Sequence, residues 1–393
     1  MRRLNTLLLG RSMAGLSAVI LAGCASLSAD GGLNDVSSLT EERVGQATHF
    51  TKTTAAAQNQ VPDLLGKPLT VESAVQVALL NNAALRASFA ELGVAEADFV
   101  QAGRLRNPGF SFSRVSGGGD AEIDRSVMFD VAGLLTLSAR KRIEGRRFEQ
   151  AKLQTAAQAV QLAAETRRAY FTAVAAAQSA VFAEQVRGAA EASSQLADQM
   201  AKVGNWSKLD QARERAFYQD AVTLQARTRH EATATREQLT RLLGVWGDQQ
   251  NFSLPDRLPD LPAAPREINN AESLAMMQRL DVLAARKDVE ATADALGLTK
   301  ATAFINVFDA GYANKSTSGL PRENGYEISL ELPIFDWGGA KVARAEAFYM
   351  QAVHRTTDTA VRARSEVREA YSAYRTSERA RTAVSVVRCT ACM

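Results

Sequence analysis

The chain states one structural plan twice. A short helical opener, two alternating strands around a turn and a long alanine-rich helix run from Leu69 to about Leu243, and the same order restarts at Glu267. Repeats on this scale imply an internally duplicated architecture in which each half supplies part of a closed shell. Four strands and a few very long helices cannot bury themselves within one protomer, so the pattern predicts an assembly.

The N-terminus reads as a processing segment. Arg2, Arg3 and Arg11 form a positive region, and Met13 to Ala22 form an apolar run too short to span a bilayer. Leu21-Ala22-Gly23-Cys24 resembles a bacterial lipobox. The expectation is therefore a signal peptide over 1–23 and a diacylglycerol on the Cys24 thiol. Ala25, where an aspartate would retain such a lipoprotein at the inner membrane, favours the outer membrane.

No later stretch has the apolar length of a membrane-spanning helix, so the remainder is periplasmic or crosses a membrane as strands. A net charge of +3 over 393 residues, with no basic cluster among aromatics, argues against nucleic acid. Cys389 and Cys392 form a Cys-x-x-Cys, but two ligands do not close a structural zinc site, and no second pair or histidine stands nearby. His49, His230 and His354 lie on polar segments and read as solvated.

Residues 24–68 are polar and read as an extended tether without a core of its own. The first repeat, 69–247, opens with a helix capped by Thr70, with Ser73 in its first turn, and breaks at Asn81-Asn82. A second helix is expected from Ala83 to Leu105. A β-hairpin follows over 109–131: Gly109 to Ser113 alternates, Gly117-Gly118-Gly119-Asp120 turns, and the second strand runs from Ser126 to Val131. The long helical hairpin spans 138–243. Its first helix, Ser138 to Val203, would reach roughly 100 Å. Leu162, Ala169, Ala173, Ala176, Ala180 and Ala183 recur at threes, fours and sevens, as at a closely packed seam. Gly204-Asn205 turns the chain, and Ser207 caps the returning helix.

A proline-rich linker occupies 248–266. The second repeat, 267–393, sets Leu280 where Asn82 stood. It places a second hairpin over 304–332, with a polar loop from Ala313 to Gly325, and a long helix over 340–387. In its last strand Ile328, Leu330 and Leu332 share one face and Glu327, Ser329 and Glu331 the other. Such alternation suits a lipid-facing wall around water, and also an ordinary soluble sheet, the commoner cause of such a pattern. The fold class is mostly α with a small β part.

These stretches resemble the TolC family of outer-membrane efflux proteins. Asn81-Asn82-Ala83-Ala84-Leu85-Arg86-Ala87 is similar to that family's opening-helix break, with Ala83 replacing a proline. Leu105-Arg106-Asn107-Pro108 resembles the approach to its first strand. Leu332-Pro333-Ile334-Phe335-Asp336-Trp337-Gly338-Gly339 resembles its strand-to-helix corner, and Val203 to Asp210 its hairpin tip. The resemblance covers about Leu69 to Val387. It implies a homotrimer in which each chain gives four strands to a twelve-stranded outer-membrane β-barrel above a periplasmic α-barrel of long antiparallel helices. It also implies that Gly204, Asn205, Trp206 and Ser207 face a periplasmic adaptor. The second hairpin tip and its returning helix have no counterpart here, and a truncated or frameshifted reading frame is the expectation.

The function this implies is a passive exit duct of a tripartite efflux system, carrying small molecules or metal ions and working with an adaptor and an inner-membrane transporter. Two alternatives remain open: a duct for type I protein secretion, and a lipoprotein acting as a periplasmic spacer without a pore. No phosphate-cradling loop, catalytic triad or metal constellation occurs, so no enzyme activity and no cofactor is expected.

Overall fold

In the computed structural model the described residues are 26–52, 60–261, 267–305 and 307–391. In chain order the elements are α1 (Leu33–Val44), α2 (Val61–Leu65), α3 (Val71–Asn81), α4 (Ala83–Ala102), β1 (Gly109–Gly117), β2 (Asp120–Asp130), α5 (Val131–Lys202), α6 (Lys208–Leu243), α7 (Ala271–Gln278), α8 (Leu280–Ala301), β3 (Phe308–Thr317), β4 (Glu323–Leu330) and α9 (Gly339–Ala391). They fall into two units, each drawing on separated stretches of chain. Of the described residues, one unit comprises 33–52, 60–90, 155–261 and 267; the other holds 26–32, 91–154, 268–305 and 307–391.

The first of these units is helical. Thr70 caps α3 with a reciprocal box: its hydroxyl accepts from the Ser73 backbone N–H at 3.1 Å, while the Thr70 N–H donates to Ser73 Oγ at 2.9 Å. Ala74, Val75, Val77, Ala78 and Leu79 bury the inner face of that helix. Asn82 is extended, with φ −65° and ψ 121°, and breaks the chain between α3 and α4 as expected. At α6 the Ser207 hydroxyl accepts from the Asp210 N–H at 3.1 Å, a cap of about 1 kcal/mol.

The part of α5 in this unit buries Thr155, Leu162, Ala169, Ala176, Ala183, Ala190 and Ala197, every seventh residue, together with Ala159, Thr166, Ala173 and Ser194. An unbroken seven-residue period imposes left-handed coiling, and small side chains let neighbouring backbones approach closely.

Residues 26–52 and 60–66 depart from the expected extended tether. Helix α1 buries Leu33, Val36 and Val44, and Phe50 packs on Phe89 with ring centroids 4.9 Å apart. Arg167 closes the end of α1 by donating to the Val44 carbonyl at 2.6 Å. The linker is also partly built in. Phe252 is buried under the Arg236 guanidinium, 4.2 Å from its ring centre, and the Leu69 N–H donates to the Ser253 carbonyl at 2.9 Å. Burial of a few widely spaced apolar residues overrides a polar local composition.

The other unit carries a four-stranded antiparallel sheet in the order β1-β2-β3-β4. Both hairpins lie within the expected bounds, the second starting at Phe308 and not at 304, but their strands run further into the turns than expected. β2 starts at Asp120, six residues before Ser126, and the expected 313–325 loop shrinks to 318–322 because Ala313↔Gly325, Asn314↔Asn324 and Lys315↔Glu323 pair. Helix α5 starts at Val131, not Ser138: the Asp130 carboxylate accepts from the Gly133 N–H at 2.6 Å and starts the helix directly at the strand end. Helix α4 ends at Ala102, short of Leu105, and α9 continues past Val387 to Ala391.

Beneath the sheet, Arg146 of α5 pairs with Glu290 at 2.5 Å and with Asp294 at 2.7 Å on α8, and the Thr356 hydroxyl of α9 donates to the Ala285 carbonyl at 3.1 Å. The break between α7 and α8 falls at Arg279, with φ −67° and ψ 126°. The structural counterpart of Asn82 is therefore Arg279, one residue away from the Leu280 that the sequence alignment chose.

Candidate functional site

Two surfaces stand out, the faces of the sheet and the end of the helical hairpin. On the sheet, the register places Phe110 opposite Val127, Val127 opposite Tyr312 and Tyr312 opposite Tyr326. The same face carries Phe112, Phe129, Phe308, Ala310, Ile328 and Leu330. Its exposed members include Tyr326 at 88% and Phe110 at 70%. These apolar residues occupy the half of the sheet nearest the helices. Toward the turns the face becomes polar, and Arg125 donates to Asn314 Oδ1 at 3.0 Å.

The opposite face is hydrophilic. It holds Ser111 and Ser113 on β1, Glu122, Asp124 and Asp130 on β2, Asp309 and Lys315 on β3, and Glu323 and Glu327 on β4. Lys315 pairs with Glu122 at 2.6 Å across the strands. Val115, Met128 and Ala313 are the apolar exceptions there. Among the described residues, β1 and β4 each have one partner strand only, so the sheet has two open edges.

The apolar band continues past the strand ends. Leu332, Ile334, Phe335 and Trp337 follow β4, and Phe335 is 99% and Trp337 73% exposed. Leu134, Leu135 and Phe304 are exposed at the neighbouring strand-to-helix junctions. No helix among the described residues is long and apolar enough to cross a membrane.

At the hairpin end, Gly204 takes φ +79° and lets the Asn205 N–H reach the Met200 carbonyl at 3.0 Å, which closes α5 with a left-handed residue. Gly204, Asn205, Trp206 and Ser207 thus form one compact turn, as the sequence predicts, and all four are exposed. Val203 and Leu209, within the tip stretch but given no contact role by the sequence, are 69% and 60% exposed on either side of Trp206 and add apolar surface to the turn.

Polar ties hold the two helices behind this turn. Gln211 donates to Asp198 at 2.8 Å, and Arg215 pairs with the same carboxylate at 3.0 Å. Further back, Glu184 accepts from Gln225 and pairs with Arg229 at 2.6 Å. The Gln225 bond and the nearby guanidinium groups of Arg187 and Arg229 hold the Glu184 carboxyl below its ordinary value. Gln211 and Arg215 do the same for Asp198. These ties fix the two helices together without a large apolar core.

Cys24, the expected lipid attachment site, lies outside the described residues, as does the whole 1–23 segment. His49, His230 and His354 are exposed. Among the described residues no cluster of three or more His, Cys, Asp or Glu could hold a metal ion.

Comparisons by sequence, against family profiles and against curated proteins, find no match. Comparison with solved structures does. The chain is similar to the outer-membrane channel OprN, with a TM-score of 0.65 and 20% identity over 83% of this chain and 78% of that one. It is similar to the Campylobacter jejuni CmeC outer membrane channel, at 0.62 and 16% over 80% and 71%. The Neisseria gonorrhoeae MtrE outer membrane channel in its open state gives 0.56 and 16% over 77% and 71%. The fold is that of the outer-membrane channels. The mostly helical architecture with a small antiparallel sheet, expected from the TolC-family resemblance, is the one found.

Proposed function

We propose that this chain is one protomer of a trimeric outer-membrane duct serving a tripartite efflux system. The observation that carries this reading is the sheet, with its apolar band on one face, carboxylates on the other and two open edges. Unsatisfied backbone groups at such edges are costly in lipid, and only closure with further strands removes them. Three copies give twelve strands, an even antiparallel number and a barrel wide enough for a water-filled lumen. The carboxylate face then lines the lumen and the aromatic face meets lipid.

The long helices extend the passage into the periplasm, and Gly204, Asn205, Trp206 and Ser207 meet a periplasmic adaptor joined to an inner-membrane transporter. Transport is passive within this chain, which acts as a conduit and not as an enzyme. Cys24 carries the lipid anchor that holds the assembly at the outer membrane. A spacer without a pore would have no use for the two-faced sheet, which favours the duct.

The test is edge pairing together with conduction. A Ser111→Cys, Ser329→Cys chain should give disulfide-linked ladders ending at three copies, and the purified assembly should produce discrete conductance steps in a planar bilayer. Monomers without steps would sink the proposal.

A further inference from the structure

Below the sheet, within one unit, α8 floors a groove of about 630 Å³. Arg147 of α5 stands on one side, and Lys341, Arg344, Phe348 and Arg355 of α9 on the other. Among the described residues its lining carries four cationic side chains and one carboxylate, Asp288. Arg147 pairs with Glu144 at 2.6 Å, whereas Arg344 lies over the Phe348 ring, 5.4 Å from its centre. Neither Arg344 nor Arg355 has a carboxylate partner among the described residues. The Thr299 and Thr302 hydroxyls donate back to the Ala295 and Leu298 carbonyls at 2.8 and 2.9 Å, so the donors left to meet a ligand include the guanidinium groups of Arg344 and Arg355 and the Gln351 amide.

One end of this groove opens on the apolar band. Ile305, three residues before Phe308, lines it, as does Ala303. Gly338, next to Trp337, packs so closely on Ala303 that a side chain there would start 3.0 Å from the Ala303 Cβ. Cationic lining and exposed aromatic corner are therefore contiguous. An occupant with a compact anion at one end and a long apolar body at the other fits both.

We infer that the groove holds the headgroup of an anionic phospholipid, with the phosphate gripped by Arg344, Arg355 adding positive charge about 16 Å further along α9, and the acyl chains leaving past Ile305 toward Phe335 and Trp337. Guanidinium groups grip phosphate oxygens through paired, charge-assisted hydrogen bonds, and a basic recess beside a bilayer selects anionic over zwitterionic headgroups. This inference rests on the reading of the apolar band as lipid-facing.

The experiment compares the full chain with an Arg344→Gln, Arg355→Gln variant. Both are purified from vesicles of equal phosphatidylglycerol and phosphatidylcholine, and the retained lipid is weighed by mass spectrometry. The native chain should retain phosphatidylglycerol over phosphatidylcholine by about tenfold, and the variant should lose that preference while keeping its oligomeric state and conductance. Equal retention of both lipids by the native chain, or an unchanged preference in the variant, overturns the inference. So does a variant that falls apart into single chains, which would make the groove a contact between copies. A native chain that selects phosphatidylglycerol yet never conducts would sink the duct and leave the groove standing.

Discussion

The side-chain amide of Asn82 donates to the backbone carbonyl of Leu242 at 3.0 Å, joining the break between α3 and α4 to the last turn of α6. Asn81 adds a bond of 2.7 Å to the Gly244 carbonyl. Carbonyls at a helix end have no partner within the helix, so two asparagines end-stack α6 on α4. Replacing Asn82 by Ala leaves the Leu242 carbonyl short of a partner and should cost about 1–3 kcal/mol. A fall in the thermal midpoint of the helical signal measures it, and Asn82→Asp should not restore what an acceptor-only group cannot donate.

The same junction makes Gly244 irreplaceable. Its φ is +68°, and a Cβ there would stand 2.9 Å from the Asn81 carbonyl oxygen. Gly204 has a similar φ, +79°, with nothing within 4 Å. Left-handed backbone costs a residue with a Cβ about 1–2 kcal/mol. Gly204→Ala should lose that much in denaturant unfolding, and Gly244→Ala distinctly more. Equal losses would contradict the close packing of α6 on the break.

Acid should loosen the helical hairpin. Glu184 and Asp198 are held below their ordinary values by the amides and guanidinium groups across the hairpin. A depressed carboxylate contributes stability that is complete above its unfolded value, about 4, and disappears as pH falls through the folded one. The thermal midpoint should therefore fall between about pH 5 and pH 3, and Glu184→Gln should flatten that dependence. A midpoint constant across the range would show that these exposed ties contribute nothing.

The two faces of the sheet should respond oppositely to charge. Phe110 and Ser111 are neighbours on β1 but point to opposite faces. If the aromatic face meets lipid, Phe110→Arg should cost about 2–4 kcal/mol in membrane insertion, while Ser111→Arg is tolerated and alters conductance only. The inserted fraction in outer-membrane preparations distinguishes the two.

At the hairpin end, Trp206→Asp places a charge inside the patch formed with Val203 and Leu209. The side chain is only 37% exposed, so the thermal midpoint should fall, and Trp206→Phe should largely restore it. Crosslinking to an adaptor should drop sharply. Retained crosslinking and export would remove the tip from the contact surface.

What could be read from the sequence was local. Thr70 and Ser207 announce their helices because a side-chain oxygen satisfies a nearby N–H, and Asn81-Asn82 marks a break for the same short-range reason. The strand ends misled because Asn314, Lys315, Glu323 and Asn324 are polar yet pair across the hairpin, where neighbouring strands and not hydrophobic alternation hold them. The start of α5 was hidden in Asp130, a strand residue that also caps. Helix α1 was missed because Leu33, Val36 and Val44 sit among polar residues and gain their burial from distant segments. The arginine groove joins α5 to α9 across the chain, and no spacing rule reports it.

The heptad seam along α5 has a mechanical corollary. From Ala169 to Ala197 every seventh residue meets its neighbours through a single methyl group, so inter-axial clearance is fixed by main chain and not by compressible side chains. Any bulkier residue at Ala183 or Ala190 has nowhere to fold away and must lever the rods apart. The bore of anything built from such rods can then change only by whole rods pivoting or untwisting together, never by one residue giving way.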